Sequence, residues 1–207
     1  MAELRCYIVL DSLQPQYASF LGTVSQGFLP VPGQTSLFVE IAPGMDIMHV
    51  MDVALKATDV RPGMLIVERM YGMLELHSDS QADVRQAGRA ILGALNLEEE
   101  DRIKPELVSS KVIRNITDYH TQLINRSRHG DLILPGQSLY VMEVAPAGYA
   151  ALAANEAEKA AHVNILEVRA FGSFGRVYLG GDERDIDVGH RAAEQAIREV
   201  KGRQGKV

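Results

Sequence analysis

An internal repeat limits what this chain can fold into more than any other feature. Pro32-Gly33-Gln34 recurs as Pro135-Gly136-Gln137, at an offset of 103 residues. The same offset relates further matching pairs along the chain: Glu3-Leu4 and Glu106-Leu107, Ala42-Pro43 and Ala145-Pro146, Lys56-Ala57 and Lys159-Ala160, and Gly72 and Gly175. Because a constant offset over nearly the whole length indicates duplication of one structural unit, we predict two domains, residues 1–103 and 104–207.

Each copy has the hydrophobic pattern of a domain that mixes strands and helices. In the first copy, apolar residues mark strands at Leu4–Asp11, Ser36–Ala42, Met64–Glu68 and Gly72–His77, and helices over residues 47–58 and 84–95. The second copy repeats this order, with strands near Leu107–Arg114, Ser138–Ala145, Asn164–Ala170 and Gly175–Gly180, and helices near Ala150–Ala161 and Ile186–Val200. The segment through Pro32-Gly33 is predicted to be irregular, and Gly202–Val207 to be a frayed tail.

These elements predict the α+β class, with helices packed on one face of a small antiparallel sheet in each copy. The other sheet face and the sheet edges then need a cover, for which we expect oligomerisation. The helix at Ala150–Ala161 is rich in alanine. We expect it to approach its sheet closely, because the separation of packed elements depends on the size of the side chains between them.

Composition and charge exclude several classes of protein. The formal net charge is −6 and no basic stripe is present, which argues against a nucleic-acid partner. No apolar run approaches the ~20 residues that span a bilayer, and the Met-Ala-Glu-Leu start lacks the pattern of a secretory signal. We therefore expect no membrane partner and a cytoplasmic location. The single cysteine, Cys6, excludes an intramolecular disulfide and a cysteine-based metal cluster.

The sequence lacks the motifs of catalysis, so we predict no enzyme activity, catalytic residue, metal ligand or cofactor. The six histidines show no metal-binding spacing. Gly172-Ser173-Phe174-Gly175 lacks the glycine spacing and the following helix of a nucleophile elbow. Glu40, Glu75 and Glu143 lie on predicted strands, where nothing in the sequence pairs them as acid and base.

A charged pair interrupts the apolar stretch Leu65–Leu76. Glu68 and Arg69 are neighbours, and neighbouring side chains of a strand point to opposite faces, so they cannot both face a dry core. A charge is rarely buried without a partner. The chain therefore either turns here, with both residues solvated at a bend, or lines water as a charged ring or gate.

Two stretches of the second copy resemble the bacterial microcompartment shell domain. The stretch Ala154–Val163, with its alanine-rich face and Lys159, is similar to the helix of that domain that carries an edge lysine. Gly172-Ser173, followed by Val177 and Gly181-Asp182, is similar to the pore loop of that domain and the hairpin that follows it.

The first copy extends the resemblance to essentially the whole chain. Met51–Ala57 matches the same helix. The stacking tandem trimers of carboxysomes and related compartments share two runs with this chain: Val67-Glu68-Arg69 before an aromatic-glycine pair, and Ala150–Ala160. The strand that closes single-domain members leads each copy here, near Leu4–Asp11 and Leu107–Arg114. The chain is thus identified as a member of the tandem, circularly permuted type of microcompartment shell protein.

The resemblance implies a pseudohexameric homotrimer in the shell of a bacterial microcompartment. Such a tile would stack as a dimer of trimers, contact other shell hexamers and pentamers, and pass small anionic metabolites through a gated central pore. The implied pore and gate residues are Glu68, Arg69, Met70, Phe171, Gly172 and Ser173, and the implied tile-edge residues are Lys56 and Lys159.

The implied gate has a simple physical basis. A modest backbone turn exchanges which of Glu68 and Arg69 faces the axis, so that Arg69, paired with Glu68 of a neighbour, fills the opening. Gly72, Gly172 and Gly175 are expected to let the backbone approach the axis and move.

Other interpretations stay open at this point. Lys56 and Lys159 could be ordinary solvated helix residues, and Gly172-Ser173 could be only a turn. The chain could also be an oligomeric metabolite-binding regulatory module with a duplicated α+β domain, and such a module would have no need of tile edges.

Overall fold

A computed structural model describes residues 2–205 and contains two four-stranded antiparallel sheets. The first sheet has the order β1-β2-β4-β3 and the second β5-β6-β8-β7. The strands are β1 (Glu3–Leu10), β2 (Thr35–Ala42), β3 (Arg61–Glu68), β4 (Tyr71–Ser78), β5 (Glu106–Ile113), β6 (Ser138–Ala145), β7 (Asn164–Arg169) and β8 (Gly175–Gly181). The predicted α+β class and all eight predicted strands are confirmed.

Six helices accompany the sheets within residues 2–205, and four of them were predicted. They are α1 (Pro15–Val24), α2 (Ile47–Ala57), α3 (Gln81–Leu95), α4 (Asp118–Ser127), α5 (Tyr149–Ala160) and α6 (Glu183–Glu199). The prediction of an irregular segment before Pro32-Gly33 was wrong, because α1 lies there and α4 takes the equivalent place in the second copy. The signal was present: Tyr17, Phe20, Leu21 and Val24 have helical spacing behind Pro15, which starts the helix.

The duplication extends to irregularities of the backbone. The pairing of β1 with β2 shifts at Arg5, and that of β5 with β6 shifts at Val108. The pairing of β3 with β4 shifts at Gly63, and that of β7 with β8 shifts at Leu166. Both pairs of bulges are related by the offset of the sequence repeat, so the two copies share fine detail as well as topology.

The inner face of each sheet packs under two helices. In the first copy, Leu37, Leu74 and Ile41 join residues of α2 and α3 in one buried cluster. In the second copy, α5 buries Ala150, Ala151, Ala153, Ala154 and Ala157 completely. A Cβ on Gly175 of β8 would lie 2.9 Å from the Cβ of Ala150, so the predicted close approach of this helix to its sheet is confirmed.

The outer face of the first sheet is covered within the chain. Cys6, Tyr17 and Phe38 are fully buried in one hydrophobic cluster with Tyr149 and other core residues of the second copy. The expectation that oligomerisation must cover this face was therefore wrong for the first sheet, because the second copy packs on it. The same face of the second sheet stays partly open in the single chain, where Val141 takes the position equivalent to Phe38.

The end of the chain packs against the connection between the copies. The backbone N–H of Arg203 donates to the carbonyl of Arg102 at 2.9 Å, and the N–H of Lys104 donates to the carbonyl of Arg203 at 2.9 Å. The prediction of a frayed tail was wrong for residues 202–205, and residues 206–207 lie outside the described part. Among residues 2–205, no helix is both long enough and apolar enough to cross a membrane.

Candidate pore site

The predicted gate residues lie at the tip of the hairpin between β3 and β4. Glu68 pairs with Tyr71 across the hairpin, which leaves Arg69 and Met70 as the two residues of the turn. Arg69 has a φ of 54°, the positive value that two-residue hairpin turns require of at least one residue. Met70 is 67% exposed. The chain therefore turns at the charged pair, which was one of the two interpretations of the sequence.

The two charges of the hairpin tip are available for contacts outside the chain. The side chains of Glu68 and Arg69 are both exposed. Within residues 2–205, neither of them forms an ion pair with the other or with a third group. Each of these side chains can therefore contact either water or a charged group of another molecule.

Tyr71, the residue that directly follows the turn and that we call the hairpin base, is held by a buried arginine. The guanidinium of Arg5 lies 3.8 Å from the centre of the Tyr71 ring, a cation–π contact, and its Nε donates to Oε1 of Glu40 at 2.8 Å. The other oxygen of Glu40 accepts the backbone N–H of Gly148 at 2.8 Å. Burial raises the pKa of Glu40, and the hydrogen bonds from Arg5 and Gly148 oppose that rise. The hairpin base is thus tied to the start of α5, while its tip stays free.

The second loop of the predicted pore lies beside the first. Gly172 has a φ of 92°, and a Cβ built on it would lie 3.5 Å from Oε1 of Glu68. Phe171 is half-buried, with the guanidinium of Arg169 5.9 Å from its ring centre, and Ser173 is exposed. The structure therefore brings Glu68 and Gly172, which are distant in sequence, to one end of the molecule.

Two of the glycines expected to give the loops mobility have a packing role instead. Gly72 and Gly175 are buried, and a Cβ on either would collide with a backbone carbonyl oxygen, that of Gly44 or of Ala147. These residues are glycine because the turn before α2 or α5 crosses directly over them. Of the three glycines, Gly172 alone has a positive φ, the backbone conformation that fits the expected freedom.

The predicted tile-edge lysines lie at equivalent ends of two helices. Lys56 is in the last turn of α2 and its side chain is 74% exposed, and Lys159 is in the last turn of α5 with 62% exposure. Each contacts an acid of its own helix: Asp52 at 2.6 Å and Glu156 at 3.5 Å. The gate hairpin is at the opposite end of β3 from the end that follows α2, so these lysines are remote from it.

A buried polar cluster in the first copy offers no route for catalysis. Oγ of Ser36 donates to Glu75 at 2.5 Å, and Nδ1 of His77 lies 3.2 Å from the same carboxylate. All three residues are at most 1% exposed, so substrate cannot reach them. Among the residues that the structure describes, no three His, Cys, Asp or Glu side chains are placed to hold a metal ion.

Comparison with known proteins decides the family. A model of the CsoS1D N-terminal domain matches residues 4–101. The carboxysome shell protein CcmP of Synechococcus elongatus is 58% identical over 202 residues, covering 98% of this chain and 95% of the relative. The chain belongs to the tandem-domain microcompartment shell proteins. CsoS1D of Hydrogenovibrio crunogenus, also a carboxysome shell protein, is 51% identical and covers 97% of this chain and 98% of the relative.

Solved structures of shell proteins share the backbone. A fused permuted hexameric shell protein of the RMM microcompartment has a TM-score of 0.93 at 45% identity, covering 96% of this chain and all of the other. A double-ringed trimeric shell protein of the same microcompartment has a TM-score of 0.95 at 39% identity, covering 99% and 100%. These relatives are shell proteins and not enzymes, which favours a structural role over the regulatory module that the sequence left open.

Proposed function

We propose that this shell protein forms a homotrimeric tile whose six domains surround a pore gated by Glu68 and Arg69. The observation that carries the proposal is the contact between the two copies, which joins unlike surfaces of two equivalent units. In such a head-to-tail contact, each copy uses only one of its two contact surfaces, so the other surface of each copy stays free. Repeated contacts of this type between chains close into a ring when the rotation permits. The double-ringed relative is trimeric, and three chains give six domains.

The contact within the chain defines the two halves. The N-terminus of α1 has no side-chain cap of its own, and the carboxylate of Glu158 on α5 accepts the backbone N–H groups of Gln16 at 2.7 Å and Tyr17 at 2.9 Å. Asn155, also on α5, accepts the N–H of Gln14 at 2.9 Å. One half is therefore α1 with the outer face of its sheet, and the other half is α5 with β7.

The matching free halves carry exposed apolar side chains. On α4, which is equivalent to α1, Tyr119 is 83% and Leu123 is 63% exposed. On α2, which is equivalent to α5, Leu55 takes the position of Glu158 and is also exposed. An apolar contact between α4 of one chain and α2 of the next would replace the polar cap found within the chain, and it would bury surface that a monomer leaves in water.

The same equivalence predicts the neighbours of the gate. Within the chain, Glu68 lies beside Gly172. The repeat maps Glu68 onto Phe171 and Gly172 onto Arg69, so the contact between chains places Phe171 beside Arg69 of the next protomer. An arginine next to an aromatic ring gains cation–π attraction. Around the ring, all the pore residues predicted from the sequence then lie on two alternating loops.

The hairpin has the construction that a gate requires. Arg5 holds Tyr71 at the base, so movement is confined to the two-residue turn of Arg69 and Met70. A turn of that backbone exchanges charged side chains at the axis, and two states separated by a few kcal/mol respond to a bound ligand. Three arginines at a constriction favour the passage of small anionic metabolites, as charged rings do in other pores.

The remaining surfaces fit assembly into a shell. We place the domain boundary between residues 103 and 104, where the carbonyl of Ile103 accepts the hydroxyl of Tyr149 at 2.6 Å.

Lys56 and Lys159 would contact neighbouring shell hexamers and pentamers, because their exposed pairs with acids of the same helix are weak and easily exchanged. The double-ringed relative supports stacking of two trimers.

Removal of both gate charges tests the proposed pore. We expect Glu68→Ala with Arg69→Ala to leave the trimer intact and to widen the opening on its axis, as measured by electron cryomicroscopy of the purified assembly. The matched control is Arg114→Ala with Glu183→Ala, an exposed acid–base pair outside both loops. The control should leave the opening unchanged, and an axis that is equally narrow in both variants would refute the gate.

A further inference from the structure

A cavity on the outer face of the second sheet is lined by three arginines. It has a volume of about 240 Å³ and lies between the end of α4 and the strands β7 and β8. Its lining includes Arg128, Arg169 and Arg176 but only one acid, Glu167. The whole chain has a formal net charge of −6, so this local excess of positive charge runs against its overall balance. We propose that the cavity is a binding site for a small phosphorylated metabolite.

The first copy shows that the fold does not need these arginines. The residues at its equivalent positions are uncharged: Ser25 for Arg128, Ile66 for Arg169, and Met73 for Arg176. Met73 is buried in a hydrophobic cluster, and Ile66 packs against the same cluster. Three charges in the place of such packing are costly to remove from water. The arginines of the second copy therefore indicate a role other than stability.

Two of the arginines face one another across neighbouring strands. Arg169 on β7 is directly opposite Arg176 on β8, and like charges in this position destabilise a sheet. Arg176 has a partner in Glu143 on β6, whose Oε1 accepts its Nε–H at 2.8 Å. Arg169 is exposed and forms no ion pair within residues 2–205. An anion bound between the two guanidinium groups would remove the repulsion that remains.

The third arginine has an unused hydrogen-bond donor. Nη1 of Arg128 donates to the carbonyl of Gly130 at 2.9 Å, which fixes the guanidinium group beside the loop that follows α4. Its Nε is buried and has no hydrogen-bond partner among the residues that the structure describes. A buried donor without an acceptor is unfavourable. An oxyanion in the adjoining cavity would supply the missing acceptor.

The lining favours a phosphate group on a small polar molecule. A guanidinium group presents paired N–H donors that match the oxygens of a phosphate. Ser127 and Tyr178, also in the lining, carry hydroxyl groups that can bind the rest of the ligand. The carboxylate of Glu167 is already engaged by the backbone N–H and Nδ1 of His129, each at 2.9 Å. The volume is below the roughly 300–1,000 Å³ of drug-sized pockets, which limits the ligand to a small molecule.

The cavity would stay open when the proposed trimer closes. Its counterpart in the first copy lies between the end of α1 and β3, has a volume of about 260 Å³ and is lined by Val24, Met64 and Ile66 among others. That counterpart persists although the second copy packs on the outer face of the first sheet. Equivalent packing by the next chain would leave the arginine cavity accessible. All its lining residues belong to one chain, so the site does not depend on the proposed gate.

The test is isothermal titration calorimetry in phosphate-free buffer, with glycerol 3-phosphate as the ligand and glycerol as its uncharged match. Wild type should bind one glycerol 3-phosphate per chain and no glycerol. Arg169→Gln with Arg176→Gln should weaken binding about 100-fold, roughly tenfold for each charged contact removed. Arg169→Gln alone, at about tenfold, serves if the double variant does not fold. The matched control is Arg61→Gln with Arg191→Gln, which removes two exposed arginines outside the cavity and should bind as wild type does.

The other outcomes would overturn the proposal. Full affinity in the cavity variant, or an equal loss in the control, would place the binding elsewhere. Malate bound more tightly than glycerol 3-phosphate would contradict a phosphate ligand, and inorganic phosphate bound as tightly as the ester would contradict a metabolite. A wild-type protein that is a trimer by light scattering but binds none of these ligands would remove this site and leave the proposed function standing.

The affinity should also depend on salt. Because the contacts join opposite charges, screening by added ions weakens them. We expect the dissociation constant of glycerol 3-phosphate to rise as sodium chloride is raised from low to physiological concentration. A dissociation constant that does not change over this range would show that the arginines do not hold the ligand.

Discussion

At the scale of single residues, the pore site contrasts a free charged tip with a buried charged base. Glu68 and Arg69 were found from sequence because a charge in an apolar stretch needs an explanation. Arg5 carries the same signal within the apolar strand Leu4–Leu10 and was missed, since its partners Glu40 and Tyr71 are distant in sequence. A functional side chain could be predicted where its sequence neighbours make it unusual. Its contact partner could not be predicted where that partner is distant in sequence.

The buried pair at the hairpin base makes a prediction about stability. Arg5→Met would leave the carboxylate of Glu40 buried without its guanidinium partner, which costs about 3–5 kcal/mol when one member of such a pair is removed. We expect the free energy of unfolding in urea to fall by that order. Arg114→Met, which breaks an exposed pair, should cost at most about 1 kcal/mol. Equal losses in the two variants would show that Arg5 does not hold the hairpin base.

At the scale of elements, the predictable helices were those with a long apolar stripe on a sheet. α1 and α4 are ten residues each and were missed: α1 although its apolar residues have helical spacing, and α4 because most of its residues are polar. α1 also depends on a cap supplied by the other copy. The sequence near Pro15 does not indicate that Glu158 binds the N-terminus of α1. This contact could be recognised only in the tertiary structure.

The cap on α1 yields a second prediction. Glu158→Ala removes the acceptor of two backbone N–H groups, and the loss of a helix cap costs about 1–2 kcal/mol of unfolding free energy. The contact between the copies should open more often as a result. Glu156→Ala, on the same helix but without a contact to α1, is the control.

Cys6 reports that opening directly. It is fully buried between the copies, and burial is the main reason that the pKa of its thiol is raised. Because the thiolate is the reactive form, an aromatic disulfide reagent should modify native Cys6 only slowly. The rate should rise about tenfold in Glu158→Ala, as 1–2 kcal/mol implies if modification requires opening. An unchanged rate would mean that the cap does not hold the copies together.

At the scale of the whole molecule, the repeat predicted more than any motif. It predicted two equivalent α+β units, the succession of their strands along the chain and the asymmetry of the loops at Glu68 and Phe171. It could not predict that the copies meet head to tail, because equivalent sequences are compatible with a two-fold contact as well. That distinction rests on the packing of α5 against α1, and it is what makes a ring possible.

The proposed tile edges are tested by assembly. Lys56→Glu with Lys159→Glu should abolish sheets of tiles in electron micrographs, because like charges then face the neighbouring tiles, while the trimer keeps its mass. Lys104→Glu with Lys201→Glu, which changes two exposed lysines outside α2 and α5, is the matched control. Sheets that persist in the first variant would make Lys56 and Lys159 ordinary solvated residues.

The most direct test of the central claim is an electron cryomicroscopy map of the wild-type assembly. We predict a three-fold ring in which Glu68 and Arg69 lie nearest the axis, with Phe171 beside Arg69 of the next chain. A map with no ring, or a ring that carries residues 68–71 and 170–174 on its outer rim, would contradict the account.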